Sequence, residues 1–166
     1  EYYCRIFNKI FGLETISLRY FNVYGPRQAP DDEYSAVIPK FITCVLNGET
    51  LPIYGSGRQS RDFVYVEDVV RANILAAQKD KLEGEVVNIA SGESHSILDL
   101  ANLLGEIVNK NIKYTFFPQR SGDVFKTLAD ISKAEKLLGY KPKISFSEGL
   151  KRTLEWFKNQ LIKVRT

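Results

Sequence analysis

The sequence predicts an α/β protein whose strands are largely parallel. Strand-like runs alternate with helical patterns through most of the chain, and this alternation favours parallel strands joined by helices. Three runs read as strands, at positions 15–21, 61–66 and 86–90. The 166 residues are 44% hydrophobic, which suits one globular unit, since domains commonly contain about 100–200 residues.

The first helix is predicted from apolar residues that recur at helical spacing between Tyr3 and Phe11. Gly12 ends this helix, because glycine readily adopts the left-handed conformation that follows a helix. No capping residue precedes the helix. We therefore expect the chain to begin inside an element of a longer protein.

The next three segments connect a strand to a second helix. Residues 15–21 read as a buried strand that enters a turn-forming loop at residues 22–26, where Asn, Gly and Pro favour a turn. A polar connection over residues 29–35 follows. A helix is then predicted over residues 37–46, ending at an Asn-Gly pair.

The middle of the chain contains two more strands and a helix. Residues 51–54 form a short apolar run, and Pro52 predicts an edge strand because proline has no amide to donate within a sheet. The strand at residues 61–66 leads into a helix that begins at Glu67. Another buried strand, residues 86–90, follows this helix.

The last part of the chain is predicted to hold three helices, each preceded by a polar residue that can cap its first turn. Ser96 with Asp99 resembles a capping box. The other two helices are predicted to follow Asp130 and Ser145, respectively. A strand is predicted over residues 112–117, between the first of these helices and the second.

Composition argues against several classes of partner. The 23 basic and 20 acidic residues are interspersed and give a net charge of only +3, so we expect no nucleic-acid partner. No apolar run approaches the roughly 20 residues that cross a bilayer, so we expect no membrane partner. Cys4 and Cys44 lack metal-ligand spacing, which predicts free buried thiols, no metal site and a reducing, cytoplasmic compartment.

A glycine-rich stretch and a single histidine are features that often bind phosphates or act in catalysis, but their sequence context here argues against both roles. The glycine-rich stretch 55–60 has Ser60 where a dinucleotide-binding loop needs its third glycine, and a strand follows it where a helix is required. We therefore predict a turn between strands. The single histidine, His95, has no nucleophile and acid gathered near it in the sequence. A capping role at the surface is favoured, and no catalytic residue is predicted.

Asn22 and Tyr54 have two possible roles. Asn22 follows an apolar strand, and ligands of open α/β sheets bind beyond the carboxyl ends of the strands. It either contacts a ligand there or is a turn residue that bonds its own backbone. Tyr54 ends the predicted edge strand and either stacks on a base or packs in the core.

Two arginines are candidates for binding a diphosphate. Arg61 directly precedes a strand, and Arg120 lies in a loop after another strand. If the fold brings them together they suit a diphosphate, because each guanidinium group can donate two parallel hydrogen bonds. Asp123 could then accept from a ribose hydroxyl. The alternative is that the arginines form surface ion pairs with Asp62 and Asp123.

Taken in order, these segments resemble the NAD-dependent epimerase/dehydratase family, the extended short-chain dehydrogenases. The resemblance covers essentially the whole chain. The segments that carry it are residues 18–27, 51–57, 61–68, 87–92, 120–124, 129–134 and 137–142.

This resemblance implies the C-terminal part of such an enzyme, composed of two interleaved portions. The last strands and helices of a Rossmann-type parallel sheet occupy about residues 1–28 and 61–92. A small α/β lobe that binds the nucleotide-sugar occupies about residues 29–60 and 93–166.

The resemblance also implies roles for individual residues. Phe21 is implied to lie beside the nicotinamide end of NAD. The residues implied to contact the phosphates of the nucleotide-sugar are Asn22, Arg61 and Arg120. Those implied to lie along the nucleotide and its base are Ala36, Val37, Pro52, Ile53 and Tyr54. Further contacts around the nucleotide and ribose are implied for Asn88 and Asp123.

Two motifs of the family are not found in this sequence, namely the Gly-rich NAD loop and the catalytic Tyr-x-x-x-Lys. In the family, both motifs lie N-terminal to the part that this chain resembles. Residues 1–3, a glutamate followed by two tyrosines, resemble the segment that follows the catalytic lysine. The implied whole protein is an NAD-dependent UDP-sugar 4-epimerase, an isomerase of carbohydrate metabolism that acts through a transient 4-keto sugar. Homodimers are common in the family. The isolated chain is expected to be inactive.

Three alternatives remain open. The chain is part of a nucleotide-sugar 4,6-dehydratase or of a UDP-glucuronate decarboxylase, which share the same binding residues. It is a non-catalytic module that binds nucleotide-sugars. Or it is a structural domain that reuses the fold without binding a ligand.

Overall fold

The structure is a computed structural model that describes residues 1–29 and 37–165, with side chains described up to Gln160. Its helices are α1 Tyr2–Phe11, α2 Val37–Asn47, α3 Val66–Ala77, α4 Ile97–Val108, α5 Ser132–Leu138 and α6 Phe146–Arg165. Its strands are β1 Ile16–Tyr20, β2 Asn22–Tyr24, β3 Leu51–Tyr54, β4 Ser60–Arg61, β5 Phe63–Tyr65, β6 Glu85–Ile89, β7 His95–Ser96 and β8 Tyr114–Phe117. The predicted α/β class is therefore confirmed.

Parallel pairing dominates the strands, as predicted. The strand pairs β1–β6, β2–β5 and β3–β8 are parallel, and β4–β7 is antiparallel. Helix α3 connects β5 to β6, so the chain passes from one parallel pair to the next through a helical crossover. Such connections are what the alternating sequence pattern indicates.

The predicted loop at residues 22–26 is partly wrong, because Asn22–Tyr24 form strand β2. The backbone changes partner at Phe21, whose amide donates to the Ile89 carbonyl at 3.1 Å. The next amide, that of Asn22, donates to the Asp62 carbonyl at 3.2 Å. One apolar run thus supplies two short strands with different neighbours, which turn-forming residues alone do not reveal.

The predicted capping box is present, whereas the cap predicted at Asp130 is displaced by one residue, because Ile131 is the N-cap of α5 and makes no side-chain capping bond. The Ser96 hydroxyl accepts from the Asp99 amide at 3.0 Å, and the Asp99 carboxylate accepts from the Ser96 amide at 2.9 Å, which confirms the capping box. Hydrogen bonding of the Asp99 carboxylate to the Ser96 side chain, and then to the Ser96 amide, holds the pKa of Asp99 below its ordinary value. Asp130 accepts from the Ser132 amide at 2.9 Å at the start of α5. The Ser145 hydroxyl accepts a bond from the first turn of α6.

The apolar side chains form two buried clusters. The first packs α2, α4 and α6 against β3 and β5, with Phe41, Ile53 and Leu150 fully or almost fully buried. The second packs α3 and α5 against β6 and includes Ile89 and Tyr140, which are both fully buried. The division of the chain into two portions by residue range stays a prediction. Among the described residues, no helix combines the length and apolar character needed to cross a membrane.

Gly149 provides a test of how tightly the first cluster is packed. A Cβ atom at Gly149 would lie 2.2 Å from the Tyr24 hydroxyl and 2.8 Å from Tyr65 Cδ2. Both rings are buried. We expect Gly149→Ala to lower the free energy of unfolding by about 1–3 kcal/mol, because overpacking outweighs alanine's better helix propensity. Urea denaturation measures the change.

Ser147→Ala serves as the control, because Ser147 is exposed on the same helix and such surface changes usually stay within about 0.5 kcal/mol. A Gly149→Ala protein as stable as the original would contradict the close packing of α6 on these two tyrosines.

Candidate functional site

A cavity of about 520 Å³ is the candidate site. Its walls come from strands β2 to β5, the first turns of α2 and α4, and the loop after β8. The lining residues are Asn22, Val23, Tyr24, Val37, Ile38, Lys40, Phe41, Pro52, Tyr54, Gln59, Arg61, Phe63, Ile97, Arg120, Ser121, Gly122 and Asp123.

The pairing of β3 with β8 brings distant parts of the sequence to this cavity. The strands are parallel, with Tyr54 opposite Phe117, and the Gly55 amide extends the ladder by donating to the Phe117 carbonyl at 2.9 Å. Both strands therefore end at the same edge. The loop that carries Arg120 and Asp123 leaves β8 there, next to the end of β3.

Arg61 and Arg120 both line the cavity, so the structure places both arginines at one site, as the diphosphate hypothesis requires. Arg61 Nη2 donates to Asp123 Oδ1, and its Nη1 donates to the Ser60 carbonyl at 2.8 Å. The ion pair with Asp123 considered from sequence thus forms, but within the cavity wall, where the two side chains are 15% and 25% exposed. No pair joins Arg61 to Asp62.

Tyr54 faces the cavity rather than the core. The Arg120 guanidinium carbon lies 4.0 Å from the centroid of its ring, and the Phe117 ring lies 5.5 Å away. A hydrogen-bonding contact with the Arg120 guanidinium holds the pKa of the Tyr54 hydroxyl below its ordinary value, and the charge of Lys40 acts in the same direction. Tyr54 therefore presents an aromatic surface beside positive charge.

Asn22 is not a turn residue that bonds its own backbone. It lies on β2 and lines the cavity, and its Oδ1 accepts from the Thr127 hydroxyl at 3.4 Å. The hydrogen bond from Thr127 therefore orients the Asn22 side chain.

Pro52, Ile53 and Tyr54, which were all assigned to the nucleotide and its base, lie on two different faces of β3. Pro52 and Tyr54 line the cavity, whereas Ile53 is fully buried in the first apolar cluster. Side chains alternate along a strand, so adjacent residues cannot share a face. Val37, on the first turn of α2, also lines the cavity.

Two further residues assigned from the resemblance, Phe21 and Asn88, are not found at the cavity wall. Phe21 is half-buried at the junction of β1 and β2. Asn88 lies on β6, and its amide nitrogen donates to the Asp130 carbonyl at 3.1 Å. Ala36 lies outside the described residues, as does almost all of the polar connection predicted over residues 29–35.

Lys40 and Gln59 line the cavity but were not singled out from sequence. Lys40 lies three residues after Val37 on α2, and this helical spacing is the signal that could have found it. Gln59 is 8% exposed, and its side-chain nitrogen donates to the Tyr54 carbonyl at 2.5 Å. Gln59 therefore fixes the end of β3.

The glycine-rich stretch is a turn between β3 and β4, as predicted. Gly55 and Gly57 have φ values of 70° and 72°, a region that favours glycine. Because β4 follows, the stretch does not place amides at a helix N-terminus. Together with the rest of the described chain, it does not fit the phosphate-binding loop that a dinucleotide such as NAD requires.

The capping role predicted for His95 is wrong. Ser96 is the N-cap of α4, and His95 lies on β7 opposite Arg61. Its ring stacks on Phe146 with a centroid distance of 4.3 Å. The sequence around His95 is polar, but the aromatic partner comes from a distant helix.

Asp62 anchors the segments next to Arg61. It is fully buried, and its Oδ1 accepts from the Ser91 amide at 2.8 Å and from the Ser91 hydroxyl at 2.7 Å. Its Oδ2 accepts from the amides of Gly92 at 3.1 Å and Ala129 at 3.2 Å. One carboxylate thus ties the loop after β6 and the segment before α5 to the start of β5.

Both cysteines are free thiols, as expected, but the expected burial holds only for Cys44. Cys44 is buried and Cys4 is half-buried. Burial raises the pKa of the Cys44 thiol. Within the ranges that the structure describes, no three His, Cys, Asp or Glu side chains gather as a metal site would require.

Comparison with known proteins gives a consistent picture. The model of the NAD dependent epimerase/dehydratase family matches residues 1–90. The chain is 40% identical over 159 residues to the putative UDP-glucose 4-epimerase of Methanocaldococcus jannaschii, covering 96% of this chain and 50% of that protein. It is 37% identical over 153 residues to the UDP-N-acetyl-alpha-D-glucosaminuronate decarboxylase of Bacillus cytotoxicus, covering 89% of this chain and 47% of that one.

A solved structure supports the same relationship. The UDP-glucose 4-epimerase of Thermotoga maritima, crystallised with UDP-glucose, superposes with a TM-score of 0.90 at 44% identity. The match covers 96% of this chain and 51% of that one. This chain therefore spans about half the length of the relatives it matches.

The parallel strand pairs and helical crossovers are those of a Rossmann-type α/β protein. The chain belongs to the NAD-dependent epimerase/dehydratase family, as its sequence segments indicate. The family's enzymes depend on NAD, whereas this chain contains neither the Gly-rich loop nor the Tyr-x-x-x-Lys motif.

Proposed function

We propose that this chain is the nucleotide-sugar-binding part of an NAD-dependent UDP-sugar 4-epimerase. The observation that carries the proposal is the meeting of Arg61 and Arg120 in one cavity. These residues lie far apart in sequence, and two guanidinium groups at one site are well suited to a diphosphate.

The cavity offers a separate surface for each part of a nucleotide-sugar. Its volume of about 520 Å³ lies within the roughly 300–1,000 Å³ typical of small-molecule sites. The Tyr54 ring, which has the Arg120 guanidinium over one face, lies at the part of the wall proposed to contact the uracil base. Arg61, Arg120 and the Asn22 amide bind the phosphates, and Asp123 accepts from a ribose hydroxyl while keeping its bond to Arg61.

The other residues assigned from the family resemblance complete this proposal. Ala36, Val37, Pro52 and Ile53 lie along the nucleotide, where the buried Ile53 acts through its backbone. Asn88 contributes at the periphery of the nucleotide, and Phe21 lies beside the nicotinamide end of NAD in the whole enzyme.

The chain's own residues bind and orient the nucleotide, and the redox chemistry lies elsewhere. NAD, when bound, supplies the acceptance and return of a hydride. For a 4-epimerase this means that sugar carbon 4 passes through a keto form. Because the residues for the redox chemistry are proposed to lie outside this chain, we expect the isolated chain to bind UDP without catalysing the reaction.

A UDP-glucuronate decarboxylase or a 4,6-dehydratase is the second candidate. The similarity to the Bacillus cytotoxicus decarboxylase is nearly as high as that to the epimerase of Methanocaldococcus jannaschii. The residues that would bind the nucleotide are the same for each reaction, so the cavity favours a nucleotide-sugar without choosing the reaction.

Calorimetric titration of the chain with UDP and with NAD tests the proposed function. We expect UDP to bind at one site per chain and NAD to give no heat beyond dilution. A folded chain that does not bind UDP would contradict the nucleotide-sugar role, and saturable NAD binding would contradict the assignment of the cofactor to residues outside this chain.

For the whole enzyme we also propose a homodimer in a reducing compartment such as the cytoplasm. Helix α1 exposes a cluster of apolar side chains, among them Tyr2 at 83% and Phe11 at 70% exposure, which favours burial against another surface. The free thiols of Cys4 and Cys44 support the compartment. The solution mass of the whole enzyme, measured by light scattering, tests the dimer.

A further inference from the structure

The charges at the cavity wall do not cancel. Among its described lining residues are three cations, Lys40, Arg61 and Arg120, and one anion, Asp123. Arg61 and Asp123 are paired with each other, so their charges largely offset. The positive charge that remains is carried by Lys40 and Arg120.

Both of these side chains lie beside the Tyr54 ring at the cavity wall. Lys40 Nζ lies 6.0 Å from the centroid of the Tyr54 ring, and the Arg120 guanidinium carbon lies 4.0 Å from the same point. Lysine also has a flexible four-carbon stem with three rotatable donors. The Lys40 ammonium can therefore move to meet an anion held by Arg120.

The position of Lys40 is fixed by the packing of its helix. Ile38, Phe41 and Ile42 on α2 are buried in the first apolar cluster. The backbone at Lys40 is thus held by its neighbours, while its side chain extends along the cavity wall. Arg120, through a hydrogen-bonding contact and its charge, and Lys40, through its charge, both lower the pKa of the Tyr54 hydroxyl, in keeping with their positions beside this ring.

We propose that Lys40 is a substrate-binding residue that supplies, with Arg120, the positive charge needed by the diphosphate of the nucleotide-sugar. A diphosphate diester carries two negative charges, which matches the two cations not offset within the cavity wall. Arg61, whose charge Asp123 offsets, then contributes directed hydrogen bonds more than net charge. This inference rests on the proposed function and names a residue for it that the family resemblance does not supply.

The test is calorimetric titration of UDP into the original chain and three variants. We expect Lys40→Met to bind UDP roughly tenfold more weakly, the size of one charge-assisted contact. Lys40→Arg keeps the charge and is expected to stay within about threefold. Lys151→Met removes an exposed lysine of α6, and we expect no change.

Salt provides a readout that a purely structural role of Lys40 would not move. Between low and high NaCl concentration, the UDP affinity of Lys40→Met is expected to fall less steeply than that of the original chain, because one screened attraction is missing.

The outcomes separate the two proposals. If the original chain does not bind UDP, the proposed function fails and the role of Lys40 fails with it. If the original chain binds but Lys40→Met binds equally well, only the role of Lys40 is overturned. Equal weakening in Lys40→Met and Lys40→Arg would overturn it too, because side-chain shape rather than charge would then matter.

Discussion

Replacing Asp62 by Ala is expected to lower the free energy of unfolding by about 3–5 kcal/mol, because each buried donor left without an acceptor costs about 1–3 kcal/mol. The carboxylate is fully buried and accepts four hydrogen bonds, from the Ser91 amide and hydroxyl and from the amides of Gly92 and Ala129. Alanine leaves all four donors without this acceptor. Urea denaturation followed by circular dichroism measures the loss.

A graded series makes this expectation sharper. In Asp62→Asn one oxygen remains, which can still accept from Ser91, but the amide nitrogen would face the Gly92 and Ala129 amides that now donate to Oδ2. We therefore expect an intermediate loss. Asp80→Ala changes an exposed aspartate and is expected to stay within about 0.5 kcal/mol. A loss below 1 kcal/mol for Asp62→Ala would show that water replaces the carboxylate.

Arg120→Met is expected to weaken UDP binding by about 10- to 100-fold, because hydrogen bonds to charged groups contribute about 1.5–3 kcal/mol. The guanidinium lies at the cavity wall and against the Tyr54 ring. Methionine keeps much of the side-chain volume while removing the charge and every donor. Calorimetric titration with UDP measures the effect.

Two further measurements separate binding from folding in this variant. Arg120 is exposed, so the urea midpoint should be nearly unchanged. Ultraviolet titration should show that the pKa of Tyr54 rises towards its ordinary value, because the guanidinium that lowers it is gone. Arg58→Met removes an exposed arginine of the nearby turn and should bind UDP normally. Normal UDP binding by Arg120→Met would contradict the proposed diphosphate site.

The helices and most strands were predictable because their signals are local. Apolar spacing predicts α1 and α2, and the Ser96–Asp99 capping box is visible as two residues three apart. Strand β2 was missed because turn-forming residues occupy its end, whereas its strand conformation depends on hydrogen bonds to residues around position 63. The residues near position 22 do not indicate a pairing partner about 40 positions away, so this strand could not be predicted from local sequence.

The site was only partly predictable for the same physical reason. Each arginine could be recognised as a candidate, but their meeting depends on the parallel pairing of β3 with β8. Family resemblance supplied residue roles without saying which face of a strand each residue occupies, so Ile53 was grouped with Pro52 and Tyr54. Lys40 is one of many lysines in the sequence, and only its place on α2 distinguishes it.

The alternation of side chains along β3 links the accuracy of folding to the choice of ligand. Leu51 and Ile53 are fully buried, and Pro52 and Tyr54 lie on the opposite face. A slip of one residue in the pairing with β8 would expose two large aliphatic groups and hide the aromatic ring. Burial of Leu51 and Ile53 thus stabilises the one register that places Pro52 and Tyr54 at the cavity. A mutation that weakens this burial should therefore reduce the selectivity of ligand binding before it unfolds the protein.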